Sequence, residues 1–420
     1  MQLTTKSSKI LEQGILFLIL ALVFLYDAFV KYIGFLDEFT ALLSTVVFLY
    51  YVSVKGKVKL FRNEHYIILF LGIIITIGLL SNFWAYHNGH KTDGIAIVGD
   101  LINFNKAFIT YLAVRLLSDN FDAKKVLSKI TKYSELVFYI LALFVVFDFI
   151  FKFFPHQLRY GIPSFELFFQ HPSRYGFAFA FIFLSLLPKY YKNNKSFLFL
   201  ILILGMLSMR IKYFGFVFMG VLFLFYGKKL YKIPKIYLFA IIGCIGLIIM
   251  GVFRDQIQMY FSFNSIKTGW SRAVILYYSF TIGNDFFPLG TGFGTYASYY
   301  SGLHYSWVYD LYGLNNIWGM SRHYWGFLAD QYWPMVLGQF GYFGLISMLL
   351  IIYNYFNLFI KQIKNNMNNV HYYYLLSALL GLLLLLIDST SDAIFTQQRA
   401  VVMFMYFALI VNTTKDNNEK

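Results

Sequence analysis

Arginines are placed unevenly in this sequence, and their positions indicate a site for an anion. Arg62 and Arg115 fall on the side of a predicted membrane where basic loops gather, and the other seven fall on the outer side: Arg159, Arg174, Arg210, Arg254, Arg272, Arg322 and Arg399. Positive charge on the outer side works against the rule that orients membrane proteins, so these seven need a different explanation. A guanidinium group grips phosphate oxygens with two N–H groups and keeps its charge when partly buried. We therefore predict a phosphate or diphosphate site, while pairing with aspartates stays an equal explanation for Arg159, Arg254 and Arg399.

Three short polar stretches add further reactive side chains. SMRIKYFG contains Arg210 and Lys212, FQHPSRYG contains His171 and Arg174, and SRHYWG contains Arg322 and His323. Histidine exchanges protons near neutral pH, but we expect both histidines to position other groups. Asp330, just before a predicted span, is the better candidate for a general base. Its alternative role is a helix N-cap, because aspartate accepts backbone hydrogen bonds at helix starts.

The same outer region is rich in aromatic residues: Tyr296, Tyr299, Tyr300, Tyr305, Trp307, Tyr309, Tyr312, Trp318, Tyr324, Trp325, Tyr332 and Trp333. Rings with polar edges suit the faces of sugars, but such residues also populate membrane interfaces, which we favour for most of them. Gly290, Gly292 and Gly294 in LGTGFGT imitate a phosphate-binding loop, yet no predicted strand precedes them, so we interpret them as turn residues. The outer carboxylates and histidines lack metal-ligand spacing and Cys244 is the single cysteine, so we predict neither a metal nor a cofactor.

The elements that must position these groups are membrane helices. The chain is 59% hydrophobic and only 13% charged, where soluble domains carry about 25% charged residues. Its net charge of +15 comes largely from lysines in alternate short connections, near residues 55–62, 124–132, 189–195 and 228–235. That alternation is the positive-inside pattern, so it argues against a nucleic-acid partner and places both termini in the cytoplasm. Residues 1–420 are predicted to form one polytopic domain.

The predicted fold is an all-α integral membrane protein of about twelve transmembrane helices. The predicted spans are 14–33, 39–54, 66–84, 98–117, 136–154, 175–187, two short helices within 197–226, then 236–253, 332–355, 373–387 and 400–411. The stretch 197–226 is too long for one span of roughly 20 residues, and a hairpin turning at 209–213 keeps the charge rule intact. A large, partly helical external loop, 254–330, lies between helices 9 and 10. Asp27, Asp100, Lys106 and Asp148 should face the bundle interior and pair there or line a cavity.

Three of these stretches, in order, resemble a known family. SMRIKYFG, then SRAVILYYSFTIGNDFFPLGTGFGTY, then DQYWPMVLGQFGYFGL, with a long external loop between spans, resemble the bacterial O-antigen polymerase and ligase superfamily, most closely the Wzy-type polymerases of capsular or exopolysaccharide. The resemblance implies a GT-C-like, metal-independent, inverting glycosyltransferase that uses undecaprenyl-diphosphate-linked sugars. Arg210 and Arg272 match the family's arginines. Asp330 stands where ligases have a histidine before the GxxG motif, here Gly341 and Gly344, and this favours a polymerase.

The expected activity is therefore polymerisation of lipid-linked repeat units at the outer face of a bacterial plasma membrane. Catalysis is assigned to Asp330, Arg210 and Arg272, and substrate binding to Arg322, His323, His171, Arg174, Lys212 and Arg159. The expected partners are the lipid-linked glycans and the bilayer, with a chain-length regulator as a further candidate. A ligase that moves finished polymer, and a flippase or other transporter of lipid-linked oligosaccharide, remain alternatives. Transporters usually place their site between structural repeats, and no repeat relates the two halves of this sequence.

Overall fold

The computed structural model describes residues 5–30, 36–55, 60–159, 161–227, 266, 269–366 and 371–414. Most of these residues are helical, and one short β-hairpin pairs β1 (Gln157–Arg159) with β2 (Ile162–Ser164) in antiparallel register. The predicted span 236–253 and Arg254 lie outside the described residues.

Nine helices lie among the described residues up to position 227. They are α1 (Thr5–Leu20), which continues through a π-helical turn (Ala21–Leu25) into α2 (Tyr26–Val30), α3 (Leu36–Lys55), α4 (Arg62–His87), α5 (Gly94–Leu116), α6 (Ala123–Phe151), α7 (Pro172–Tyr190), α8 (Lys195–Met206) and α9 (Ile211–Tyr226). Short 3-10 turns cover Leu117–Asn120 and Leu167–Phe169. Each of the first eight predicted spans therefore overlaps a helix.

Six further helices lie among the described residues from position 266 onward. They are α10 (Ser271–Asp285), α11 (Tyr299–Leu303), α12 (Trp307–Leu311), α13 (Tyr332–Asn365), α14 (His371–Ser389) and α15 (Gln398–Thr414), with 3-10 turns at Leu314–Asn316 and Ile394–Thr396. The described part of the long loop before α13 is partly helical, as predicted.

Seven helices among the described residues are long and apolar enough to cross a membrane: Lys6–Val30, Leu36–Val54, Arg62–His87, Gly94–Leu116, Ala123–Phe151, Tyr332–Asn365 and His371–Ser389. The outer helices expose large apolar side chains, such as Leu49 on α3 and Phe149 on α6. Water would disfavour so broad an apolar surface, but lipid would not. The chain is thus an all-α, multi-pass membrane protein.

Two helices are enclosed by the others. Every residue of α15 is buried, and so is α7 from Pro172 to Leu187 except Arg174. A helix that is apolar on all sides belongs at the centre of a bundle rather than at its lipid-facing edge. Because α7 and α15 both begin at the predicted outer end, they carry the residues near their N-termini into the middle of the molecule.

The predicted break in 197–226 is confirmed. The helix α8 ends at Met206, α9 begins at Ile211, and Met209 between them has a left-handed backbone (φ 47°). The backbone N–H of Phe165 donates to the carbonyl of Leu207 (2.8 Å), so the segment after the β-hairpin is attached to this turn. Irregular backbone in a membrane protein needs such partners, since lipid cannot supply them.

The glycine-rich loop LGTGFGT packs against a kink in α13. Gly341 has φ 59° and ψ −163°, a conformation that essentially only glycine adopts, and a Cβ there would overlap the carbonyl of Pro288. The backbone N–H groups of Thr291 and Gly292 donate to carbonyls of α13, and that of Gly294 donates to Asp100 (2.7 Å). The loop glycines all have positive φ, which agrees with the prediction that they are turn residues.

The four ionisable residues singled out in the spans are buried in the bundle, as predicted, and three of them pair with other side chains while Asp100 accepts from the backbone N–H of Gly294. Lys106 contacts Asp37 (2.5 Å) and Glu38 (3.4 Å), Asp27 pairs with Arg174, and Asp148 lies 3.2 Å from His156. Buried charges are tolerated when they are paired and hydrogen-bonded.

Candidate functional site

Three helix ends meet at one place in the described structure. They are the start of α7, the start of α9 and the turn that joins α14 to α15. We call the charged side chains gathered there the cationic cluster, which comprises His171, Arg174, Arg210, Lys212 and Arg399 together with the aspartates Asp27, Asp388 and Asp392. It lies beside a small cleft lined by Ser173, Gly176, Phe177, Ser208, Arg210, Lys212, Tyr213, Leu384 and Asp388.

Two aspartates hold two of the cations in place. Asp392 accepts from Lys212 (3.1 Å) and pairs with Arg399, while Asp388 lies 3.8 Å from Lys212 and 3.6 Å from Arg399. Burial alone would raise the pKa of Asp392, but Arg399 and Lys212 hold it well below its usual range. Asp392 is therefore a permanent anion, and it ties α9 to the α14–α15 turn.

His171 and Arg210 face each other across the cluster. The ring Nδ1 of His171 lies 3.2 Å from the backbone N of Ser173 at the start of α7. Its Nε2 lies 3.0 Å from Nη2 of Arg210, which can only donate, so a neutral ring accepts from Ser173 or from Arg210 and its tautomer decides which. Burial, Arg210, Arg399 and Lys212 lower the pKa of His171 to about 4, so the ring is neutral at physiological pH. The guanidinium of Arg210 thus stands beside a neutral ring at the start of α7, and its planar N–H groups suit the oxygens of a phosphate.

Arg272 and Asp330 form a second pair at the edge of the cluster. Nε and Nη2 of Arg272 both donate to Oδ2 of Asp330, at 3.1 and 3.0 Å. Burial raises the pKa of Asp330, Arg272 opposes that effect, and the charges of Asp392 and Lys212 also reach it. Charges of the cationic cluster therefore act on this pair, although Arg272 and Arg210 are far apart in the chain.

The structure corrects the alternative role considered for Asp330. The N-cap of α13 is Gln331, whose side chain makes no capping hydrogen bond, and the Asp330 side chain turns to Arg272 instead. Asp330 is therefore an ion-pair partner rather than a helix cap. Sequence position alone suggested the cap because the residue stands within two positions of the helix start.

Arg174 joins the cluster through the first helix. Its guanidinium pairs with Asp27 and lies over the ring of Tyr26, 5.3 Å from the ring centroid. Six of the nine predicted site residues consequently lie in or beside the cluster: Asp330, Arg210, Arg272, His171, Arg174 and Lys212.

The other three predicted residues lie elsewhere. Arg322 pairs with Asp310 and lies over the ring of Tyr305 (5.0 Å), and its neighbour His323 is exposed. Arg159 ends strand β1. No contact described for these three side chains reaches the cluster.

Sequence reasoning did not assign Asp27, Asp388, Asp392 and Arg399 to the site. Asp388 and Asp392 stand four residues apart at the end of a predicted span, and that spacing was the available signal. These aspartates reduce the number of arginines that could serve an anion alone. Four of the arginines predicted to lie outside contact aspartates: Arg174, Arg272, Arg322 and Arg399. The cluster and the Arg272–Asp330 pair together hold five basic side chains and four aspartates, so with neutral His171 one positive charge is left for a ligand.

Comparison with known proteins adds no relative: the sequence matches no protein-family model and no curated protein sequence. Among the described residues, no three His, Cys, Asp or Glu side chains are grouped as a metal ion would require. The geometry itself offers two chemical capabilities: a guanidinium group suited to an oxyanion, and a carboxylate with a raised pKa.

Proposed function

We propose that this protein is a polysaccharide polymerase that joins undecaprenyl-diphosphate-linked repeat units at the outer face of a bacterial plasma membrane. The observation that carries the proposal is the convergence of Arg210 and the Arg272–Asp330 pair on one charged region. These are the residues on which the resemblance to the polymerases rests. We also propose that this multi-pass helical membrane protein crosses the membrane about twelve times and has a GT-C-like arrangement.

The donor in this scheme is the growing chain on its lipid diphosphate. The guanidinium N–H groups of Arg210 donate to the diphosphate oxygens, and Arg272 approaches from the side of the loop. When the bond from the anomeric carbon to the phosphate oxygen breaks, its electron pair passes to the diphosphate. Donors already in place stabilise that charge without reorganising, which is a large source of rate enhancement.

The acceptor is the non-reducing sugar of a new lipid-linked repeat. Its hydroxyl oxygen attacks the anomeric carbon from the opposite face, which inverts the configuration, and the hydroxyl proton passes to Asp330. A raised pKa makes Asp330 a stronger base than an ordinary aspartate. Growth then occurs at the lipid end of the chain, and Arg272 keeps the base oriented between the two substrates.

The test is the glycan made by a strain that lacks this gene. A missing polymerase leaves surface glycans with at most one repeat, and short lipid-linked repeats accumulate. Plasmid-borne wild-type protein should restore long polymer. A strain that still makes full-length polymer contradicts the proposal.

The same assay separates the ligase alternative. A missing ligase leaves long polymer attached to the carrier lipid, rather than single repeats. We favour the polymerase because Asp330, at the position of the ligase histidine, is paired with Arg272 and near the cationic cluster.

A transporter is the alternative from a different class, and the kink at Gly341 bears on it. Interrupted helices line the binding sites of many transporters. Here, however, the interruption is filled by the loop around Gly290, and Gln339, Phe340 and Gly341 are all buried. A break packed in protein supports a structural role more than a substrate site.

A further inference from the structure

A group of exposed and partly exposed aromatic rings stands near the start of α10, which carries Arg272. Trp318, Tyr324 and Phe327 contact one another, with ring centroids 5.0–6.0 Å apart. Trp318 is the most open of them, with 72% of its surface exposed. We call these three rings the aromatic platform.

The backbone beneath the platform is a closed loop. Ser321 N–H donates to the carbonyl of Tyr324 (3.1 Å), and Phe327 N–H donates to the carbonyl of Gly319 (3.1 Å). Gly319 has φ 81°, and a Cβ on it would overlap the ring of Phe327. The rings are therefore held in place before any ligand arrives, which lowers the entropy that binding must overcome.

Polar groups suited to hydroxyls surround the same loop. Asp310 accepts from Nδ2 of Asn315 (3.0 Å) and pairs with Arg322, whose side chain is 61% exposed. A row of planar donors and acceptors beside open ring faces matches a pyranose, which has apolar C–H faces and hydroxyls around its rim. A membrane anchor would require the rings but not this exposed Arg322–Asp310 pair.

The platform is joined to the proposed reaction centre. The hydroxyl of Ser271 donates to the carbonyl of Trp318 (3.1 Å), and the next residue is Arg272, which holds Asp330. A sugar lying on the platform is thus next to the helix start that carries Arg272, the partner of Asp330. Since Asp330 takes the proton of the acceptor hydroxyl in the proposed reaction, the sugar nearest to it belongs to the acceptor.

We infer that Trp318, Tyr324 and Phe327, with Arg322 and Asp310 at their rim, bind the sugar moiety of the incoming lipid-linked repeat. This inference rests on the proposed function and adds a separate acceptor subsite to it. Arg322 was predicted from the sequence to bind substrate, and this inference assigns it to the acceptor sugar.

The test compares two ligands that differ only in the sugar. The first is the lipid-linked repeat extracted from the deletion strain, and the second is undecaprenyl diphosphate without sugar. Binding of each is titrated on purified full-length protein in lipid nanodiscs. Trp318→Leu stays apolar but loses the flat ring, so it should weaken repeat binding about tenfold and leave binding of the sugar-free lipid unchanged. Trp318→Tyr keeps a ring and should bind the repeat within about twofold of wild type.

Two further variants make the comparison decisive. Trp84→Leu alters a tryptophan of similar exposure (66%) on α4 and should change neither titration. Arg210→Lys alters the diphosphate side and should weaken both ligands.

Two outcomes overturn the acceptor subsite while leaving the polymerase proposal intact. One is wild-type affinity of Trp318→Leu for the repeat. The other is an equal loss for both ligands, or an equal effect of Trp84→Leu, either of which assigns the ring to lipid contact. Failure of the polymerase proposal shows itself earlier, because the deletion strain would then accumulate no lipid-linked repeat, and the inference falls with it.

Discussion

Asp330 is the side chain whose charge the proposed chemistry needs most. Asp330→Asn keeps the shape and one hydrogen-bond acceptor for Arg272, but it cannot take a proton. We expect normal membrane levels and polymer reduced by about 100-fold or more, the scale of lost general-base catalysis. The measurement is polymer in the complemented deletion strain. Asp285→Asn is the matched control, since Asp285 lies in the same outer segment and accepts from Tyr312 (2.6 Å). Wild-type amounts of polymer from the Asp330→Asn variant would show that Asp330 has only a structural role.

The raised pKa of Asp330 predicts how the rate depends on pH. The base works only when ionised, so the rate of polymerisation should fall as pH decreases, with a midpoint above the ordinary aspartate value of about 3.9. His171, with a pKa of about 4, stays neutral over about pH 5 to 8 and adds no transition there. Turnover of extracted lipid-linked repeat by purified protein gives the profile. A rate that rises on acidification would contradict the base assignment.

Variants of Arg210 test whether the site needs only a positive charge or the planar guanidinium group with its two parallel donors. Arg210→Lys keeps the charge but cannot present two parallel donors, so we expect it to lose nearly as much polymer as Arg210→Ala. Arg62→Lys, at the start of α4, is the control and should polymerise normally. Normal polymer from Arg210→Lys would mean that charge alone suffices, and the assignment of two parallel Arg210 donors to the diphosphate would be wrong.

Residue types and their spacing predicted most members of the charged site but not the ion pairs between its arginines and aspartates. Arg210 with Lys212, and His171 with Arg174, are near neighbours in the chain, so their grouping was visible. The contacts of Arg399 with Asp392 and of Arg174 with Asp27 depend on how α1, α7 and α15 pack. Pattern reasoning contains no distances between helices, so it could not decide whether Asp330 caps α13 or pairs with Arg272.

The α8–α9 hairpin determines the position of Arg210. Gly205 on α8 faces Tyr213 on α9, and a Cβ at Gly205 would overlap the Tyr213 hydroxyl. Gly205→Ala must therefore push the two helices apart, and overpacking of this kind costs roughly 1–3 kcal/mol. We expect a lower unfolding temperature in detergent and less polymer, because the turn that carries Arg210 moves with the helices.

Gly215 provides the control within the same hairpin. A Cβ there would lie 3.5 Å from Ile387, which is ordinary contact. Because alanine favours a helix over glycine by about 1 kcal/mol, Gly215→Ala should leave the unfolding temperature unchanged or raise it. If both alanine variants behave alike, the close approach of Gly205 to Tyr213 does not set the hairpin geometry.

Helices were the most predictable part of this molecule. Long apolar runs bounded by lysines have one common structure in a membrane, so eleven of the twelve predicted segments coincide with helices, and the twelfth lies outside the described residues. The kink at Gly341 was not predicted. It depends on contact with the loop around Gly290, and a single glycine in an apolar run gives no sign of such a partner.

For the whole molecule, the direction in which the helices cross decides whether the site meets lipid-linked glycans outside the cell. The lysine-rich connections predict that the start of α6 lies in the cytoplasm and that the loops after α4 and α12 lie outside. Single cysteines can report this once Cys244 is replaced by serine. Gly313 is exposed and a side chain there meets no atom within 4 Å, so Gly313→Cys is accessible to reagent, and the strain from its left-handed backbone (φ 64°) is checked by requiring that the variant restores polymer. Asn88 and Ser128 are exposed positions at the two other connections.

We expect a membrane-impermeant maleimide to label Gly313→Cys and Asn88→Cys on intact cells, or on spheroplasts where an outer membrane blocks access. Ser128→Cys should react only after permeabilisation. Each protein must first restore polymer, so that labelling reports a functional fold. Labelling of Ser128→Cys but not Gly313→Cys on intact membranes would invert the topology. The cationic cluster and Asp330 would then face the cytoplasm, away from exported repeats, and a polymerase acting outside could not be maintained.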